Sequence, residues 1–171
     1  KEMYDEAIIE FRKVLALNPY DSFAHYNLEV IYRLKGIDDQ NLVRWKRSVA
    51  INPENAGAHY RLGLAYKEKG MLDEAIREWE KAVALDPDFS HAHLQLGIAY
   101  KSTGHSDEAL KAWNRTIEID PEFQEAFMHL GKAYLNQGML DEAVAAIKKT
   151  IRLKPDDVEC RFVLGLIYKN N

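Results

Sequence analysis

Residues 56–89 read AGAHYRLGLAYKEKGMLDEAIREWEKAVALDPDF, and residues 90–123 repeat the same layout as SHAHLQLGIAYKSTGHSDEALKAWNRTIEIDPEF. In the first stretch Leu62, Ala65 and Tyr66 recur three to four residues apart, which places them on one face of a helix. Gly70 closes that helix, because glycine tolerates the left-handed backbone found at helix C-termini. Asp73 and Glu74 open a second helix, with their carboxylates at the positive end of its dipole. Ala75, Trp79, Ala82 and Val83 form its inner face, and Asp86-Pro87 stops it, since proline turns the preceding residue away from helical geometry. The stretch is a helix hairpin, and no strand signal interrupts it.

The layout extends in both directions. The five prolines, Pro19, Pro53, Pro87, Pro121 and Pro155, fall 34 residues apart, and so do Tyr32, Tyr66, Tyr100, Tyr134 and Tyr168. Gly36, Gly70, Gly104 and Gly138 keep the spacing, as do Asp5, Asp39, Asp73, Asp107 and Asp141. A fixed period in this range marks a stacked repeat architecture. It predicts an all-α chain with helices near 5–17, 22–35, 39–51, 56–69, 73–85, 90–103, 107–119, 124–137, 141–153 and 158–169. Within each repeat, small residues (Gly63, Ala75, Ala82) let two helices approach while Leu62, Tyr66 and Trp79 fill the surrounding space. One repeat on, the set is Gly97, Ala109, Thr116, Leu96, Tyr100 and Trp113; the next has Gly131, Ala143, Thr150, Leu130, Tyr134 and Ile147.

This string resembles the tetratricopeptide repeat (TPR), whose pattern runs Trp-x2-Leu-Gly-x2-Tyr, then Ala-x3-Phe, then Pro. The matching residues are His59, Leu62-Gly63, Tyr66, Ala75, Trp79 and Pro87. They recur as His93, Leu96-Gly97, Tyr100, Ala109, Trp113 and Pro121, and again as Phe127, Leu130-Gly131, Tyr134, Ala143, Ile147 and Pro155. The resemblance implies a right-handed α-solenoid of antiparallel helix pairs over residues 1–171. Its parts are a partial repeat at 1–21, full repeats at 22–55, 56–89, 90–123 and 124–157, and a first helix at 158–171. The repeat at 22–55 departs most, with Glu29 for glycine and Asn41 and Ser48 for alanines. A looser or shifted second helix is expected there, partly compensated by Trp45.

Bulk properties narrow the function. Apolar content of 47% with 29% charged residues suits a folded chain. A net charge of −4 disfavours nucleic acid, which calls for a basic face. No apolar run is long enough to span a membrane. The single cysteine, Cys160, fits a reducing compartment, and the cytoplasm is the expected location. The chain begins at Lys1, in mid-pattern, and reads as a piece of a longer protein.

Candidate chemistry is sparse. His25, His59 and His93 keep the 34-residue spacing, and His91 and His93 form a His-x-His. Residues two apart on a helix point to different faces, so that pair does not readily share a metal, and packing is the better reading of the column. His105 falls in a turn and reads as solvated. Cys160 has no histidine in its own helix to activate it and reads as a packing residue. Asp38-Asp39 and Asp156-Asp157 sit at turns and helix starts, where capping is the natural role. No phosphate-binding glycine loop, His-Glu-x-x-His or Gly-x-Ser-x-Gly motif occurs. The tryptophans follow the repeat and read as core. No catalytic residue, metal or cofactor is assigned.

The resemblance implies that first helices line a concave groove. Residues off the packing face then form columns: Tyr26, Tyr60, Leu94, Met128 and Phe162; Val30, Leu64, Ile98, Lys132 and Leu166; Arg33, Lys67, Lys101, Leu135 and Lys169; Asn27, Arg61, Gln95, His129 and Val163. They suggest an apolar floor with a basic rim, suited to a peptide with apolar anchors and acidic flanks. Equally open is that neighbouring repeats half-bury the apolar columns and that the basic column is a solvated face. The carboxylate clamp of chaperone-binding relatives is not reproduced at Tyr26, Val30, Arg61, His91 and Gln95, nor at Tyr60, Leu64, Gln95, Glu125 and His129. The asparagine ladder of relatives fused to sugar transferases is reduced to Asn27. The expected function is a non-enzymatic protein-interaction scaffold. The alternatives are a non-catalytic segment of a larger enzyme and a self-assembling solenoid. For the last, the opening helix is expected to expose Ala7, Phe11 and Val14, and the closing helix Leu164, Gly165 and Tyr168, so that copies stack head to tail, unless flanking helices of a longer protein cover both ends.

Overall fold

The computed structural model describes residues 2–18, 21–34 and 38–170; of these, the side chains of Glu2, Ser22, His25, Glu29, Asp38, Asp39, Gln40 and Asn170 lie outside the described ones. The expectations that rest on Lys1, Pro19, Gly36 and Asn171, and on the side chains of His25, Glu29 and Asp39, therefore fall outside the described residues. Helices run α1 Glu2–Leu17, α2 Ser22–Leu34, α3 Asp38–Ile51, α4 Ala56–Glu68, α5 Leu72–Leu85, α6 Ser90–Ser102, α7 Ser106–Ile119, α8 Gln124–Asn136, α9 Leu140–Leu153 and α10 Val158–Asn170. Among the described residues no strand forms. Boundaries follow the sequence expectation to within a residue except at α1, which begins at Glu2 instead of residue 5.

Local chemistry explains the described turns. Gly70, Gly104 and Gly138 take φ of 73°, 86° and 73°, in the left-handed region. Each ends a first helix with the same pair of bonds. Gly70 N–H donates to Lys67 O and Met71 N–H to Tyr66 O, and the pattern returns at Gly104 with His105 and at Gly138 with Met139. This is the Schellman arrangement, which satisfies the carbonyls a helix leaves open. Glycine is required there because a side chain disfavours that backbone. Second helices then start with acids in the first turn: Asp73 and Glu74, Asp107 and Glu108, Asp141 and Glu142. First helices are capped by one recurring position: Asp21 accepts from Ala24 N–H, Asn55 from Ala58 N–H and Asp157 from Cys160 N–H, at 2.7, 3.0 and 2.9 Å. Phe89 and Phe123 hold that position at α6 and α8 without a side-chain cap.

The chain divides into two compact units, Lys1–Ala75 and Ile76–Asn171, with the boundary inside α5. In the first, Ile8, Leu28, Ile31 and Tyr32 form a core between α1 and α2, joined by Ala7, Phe11 and Leu15. No described α3 residue enters that core, although Asn41 on α3 is buried. In the second, Leu94, Ala109, Trp113, Ala126, Leu130, Ala133 and Ala146 tie α6, α7, α8 and α9 together, and Ile147, Cys160 and Ile167 tie α9 to α10. Thr116 and Thr150 replace an alanine without leaving a buried hydroxyl unpaired, since each donates to the carbonyl four residues back, Ala112 or Ala146.

Candidate interaction surface

The first-helix columns separate into buried and exposed members. On α6, Leu94 is 2% exposed and belongs to the core around Trp113, so it is no groove residue. Ile98 packs against that core, and Met128 packs against Ile147, Cys160 and Ile167. These residues are consumed by contacts between successive repeats; an apolar floor over α6 and α8 is not what the fold presents. Val30, Tyr60 and Leu64 in the first unit are likewise half-buried, as are Asn27, Arg61 and Gln95. Arg61 lies over the Tyr60 ring with its guanidinium carbon 5.8 Å from the centroid. His129 stacks face to face on Trp113, 5.0 Å between centroids and 10° between planes, and its Nε2 lies 3.7 Å from Glu125. It supports the core ring, a role its column position did not reveal.

What remains outward is basic and, in places, aromatic. Arg33 and Lys67 are exposed in the first unit, and Lys101, Lys132 and Lys169 in the second. Lys132 pairs with Glu159 on α10 at 2.7 Å, and Lys101 donates to Ser106 at 3.4 Å. Tyr26 is 60% exposed on α2, and Phe162 and Leu166 are exposed on α10.

The end faces differ from expectation in part. Ala7 and Phe11 are half-buried against Leu28, Ile31 and Tyr32 on α2, because the α1–α2 contact claims that face, while Val14 stays exposed. Leu164 is half-buried beside Ile147 and Ile167, whereas Gly165 and Tyr168 are exposed.

The histidine column has a structural role. His59 and His93 donate from Nε2 to the carbonyls of Pro53 and Pro87, six residues back, at 2.8 and 3.0 Å. Arg161 occupies the same register and donates to Pro155 at 2.8 Å. An N–H donor here ties the inter-repeat turn to the helix that follows it, which favours packing over metal ligation. His59 is buried. Among the described residues no group of three His, Cys, Asp or Glu could hold a metal ion. His91 meets Phe123 edge-on at 5.0 Å, and His105 shares a hydrogen bond with Thr103 at 2.9 Å. Cys160 is buried, and burial, reinforced by Asp157, pushes its thiol up to about 11, so it carries little thiolate at neutral pH. Asp157 is held below the usual carboxylate range by the Cys160 N–H it caps. No helix among the described residues is long and apolar enough to cross a membrane.

Two family profiles, described as "TPR repeat" and "Tetratricopeptide repeat", match the chain at residues 30–70 and 63–104 and at residues 94–167. The chain belongs to the tetratricopeptide repeat family. Solved structures agree. MamA is 31% identical with a TM-score of 0.70, covering 91% of each chain. TTC0263, a thermophilic TPR protein in Thermus thermophilus, is 28% identical with a TM-score of 0.70, covering 96% of this chain and 90% of its own. YrrB, described as a TPR protein with an unusual peptide-binding site, is 23% identical with a TM-score of 0.69 and matches in fold. No curated protein sequence matches the chain. TPR chains are in general protein-interaction scaffolds, and this chain is one by fold and by repeat.

Proposed function

We propose that this TPR chain holds a segment of a partner protein along the outward face of its first helices, and that it does so without catalysis. The supporting observation is the recurrence of exposed cations off the packing face: Arg33 and Lys67 in one unit, Lys101 and Lys169 in the other. Exposed Tyr26 in the first unit, and Phe162 and Leu166 in the second, supply apolar contact beside them. Such a surface suits a segment with apolar anchors and acidic flanks. The proposed setting is the cytoplasm, where Cys160 stays reduced. Lys67→Glu and Lys101→Glu, singly and together, are expected to weaken partner binding and flatten its salt dependence while the helical circular dichroism is kept. Unchanged affinity for a partner captured with the unmodified chain rejects this face as the site.

A second reading is self-association through α10 and α1. An open cleft of about 310 Å³ on α9 and α10, lined by Ile151, Leu164, Gly165 and Tyr168 with Lys148 and Arg161, favours it. Val14→Glu and Tyr168→Glu are then expected to turn a concentration-dependent sedimentation coefficient into that of a monomer. Phe11 is a poor probe, because its contact with α2 makes its replacement a folding defect. A chain that sediments as a monomer at every concentration removes this reading.

A further inference from the structure

In the first unit two arginines from different helices meet one tyrosine. Arg12 on α1 donates from Nη2 to the hydroxyl of Tyr32 on α2 at 3.0 Å. Arg44 on α3 holds its guanidinium carbon 5.9 Å from the centre of the same ring and 5.2 Å from that of Trp45. Among the described residues, Arg12, Leu15, Ala16, Tyr32, Asn41 and Arg44 line an open cleft of about 490 Å³, and none of these six is acidic.

The repeat supplies its own control. Two periods further on, Arg12, Tyr32, Asn41 and Arg44 correspond to Glu80, Tyr100, Ala109 and Ala112. There the tyrosine hydroxyl donates to the Glu80 carboxylate at 2.7 Å, and both alanines are buried in helix packing. At the first site the carboxylate is replaced by a guanidinium, and the two packing alanines by an amide and a second guanidinium. Two departures, at 41 and 44, meet a recurrent cation: position 41 is alanine in every other repeat (Ala7, Ala75, Ala109, Ala143), position 44 is Glu10, Glu78, Ala112 or Ala146 elsewhere, and position 12 is Lys46 or Lys148 in two other repeats, each over its own tyrosine ring. Burial depresses the Arg44 pKa and the neighbouring Arg12 charge depresses it further, with Tyr32 opposing. An anion between the two guanidiniums relieves their repulsion and replaces lost hydration.

We propose that the cleft between α1, α2 and α3 is an oxyanion-binding site, in which Arg12 and Arg44 hold a carboxylate or phosphate group. The planar guanidinium fork matches either group with paired N–H donors. Asn41, 5% exposed, adds amide donors from the lining. Leu15, Ala16 and the Tyr32 ring accept an apolar portion, so the ligand class is an organic carboxylate or phosphate ester and not a bare ion. The cleft involves the second helices α1 and α3, away from the first-helix face assigned to the partner, and stands or falls independently of that assignment.

The full chain is titrated with phenyl phosphate and with benzoate at constant ionic strength, with phenol as the neutral control, reading calorimetry and the arginine Nε–H resonances. One saturable site is expected, with shifts at Arg12 and Arg44, and phenol is expected to be silent. Tighter phenyl phosphate assigns the site to phosphate esters, and tighter benzoate to carboxylates. Arg12→Gln and Arg44→Gln are each expected to weaken binding at least about tenfold. Arg115→Gln, which breaks an exposed pair with Asp88 in the other unit, leaves it unchanged. Where Arg44→Gln lowers the helical signal, Arg44→Lys keeps the charge and is expected to weaken binding through loss of the fork. The proposal is overturned if neither anion shifts the two arginines at about 10 mM, a concentration that saturates even a millimolar site. It is overturned equally if the folded glutamine variants bind as the unmodified chain does.

Discussion

Trp113→Ala is expected to lower folding free energy by about 3–5 kcal/mol, the range for deleting a large buried aromatic side chain. The ring is 2% exposed and lies in a core drawn from α6, α7, α8 and α9, so no single helix can relax to fill the gap. Its removal also strips His129 of the face on which it stacks. Trp113→Phe separates size from chemistry. The indole Nε1 is buried with no hydrogen-bond partner, a state that costs on the order of 1–3 kcal/mol. Phenylalanine gives up ring volume but removes that orphan donor, so its cost is expected to be well under half that of alanine. Urea denaturation followed by far-ultraviolet circular dichroism reads both, without relying on the fluorescence of the deleted ring. A loss below about 1 kcal/mol for the alanine variant contradicts the core placement of Trp113.

The contacts of this ring show what sequence could and could not convey. Periodicity located the ten helices of the described residues, because many of their ends are fixed by a local event: a left-handed glycine after α4, α6 and α8, an Asp or Asn that caps α2, α4 and α10, a proline that cannot continue. The same reasoning placed Trp113, Leu130 and Ile147 in the core, since the register that repeats is the packing register. It failed for Leu94 and His129. Both occupy columns read as lying off the packing face of their own hairpin; His129 is claimed by Trp113 of the preceding repeat, and Leu94 by the core shared by α6, α7, α8 and α9. That contact depends on how successive hairpins stack, which one repeat's periodicity does not encode. The arginine cleft was half legible. Asn41 stood out as a break in the alanine column, but Arg12 and Arg44 sit at positions where charged residues attract no notice. What links them is a tertiary contact, the tyrosine meeting a residue twenty positions earlier, visible at both Arg12–Tyr32 and Glu80–Tyr100.

Gly97→Ala is expected to give no gain and to destabilise the fold by up to about 2 kcal/mol, against the trend for this substitution. In a helix interior, alanine is favoured over glycine by about 1 kcal/mol, so propensity alone predicts a gain. At Gly97, in mid-α6, an added Cβ overlaps the Trp113 indole at Nε1 and Cδ1 and stands 2.8 Å from Cε2. The ring cannot retreat freely, because His129 covers one face and the surrounding core is closed. Overpacking of this kind costs about 1–3 kcal/mol and outweighs or cancels the propensity gain. Gly165→Ala in α10 is the matched control. Nothing lies within 4 Å of a Cβ there, so the same substitution is expected to stabilise, by roughly 0.5–1 kcal/mol. The origin of the Gly97 penalty is tested by combining it with Trp113→Phe, whose smaller ring vacates the space over α6. The double variant is expected to be more stable than the sum of the single losses predicts, by about 0.5 kcal/mol or more, the scale of coupling between touching residues. Strict additivity, or a stabilising Gly97→Ala, would mean that the indole edge does not rest on Gly97 and that the small–large pairing between α6 and α7 is looser than the geometry describes.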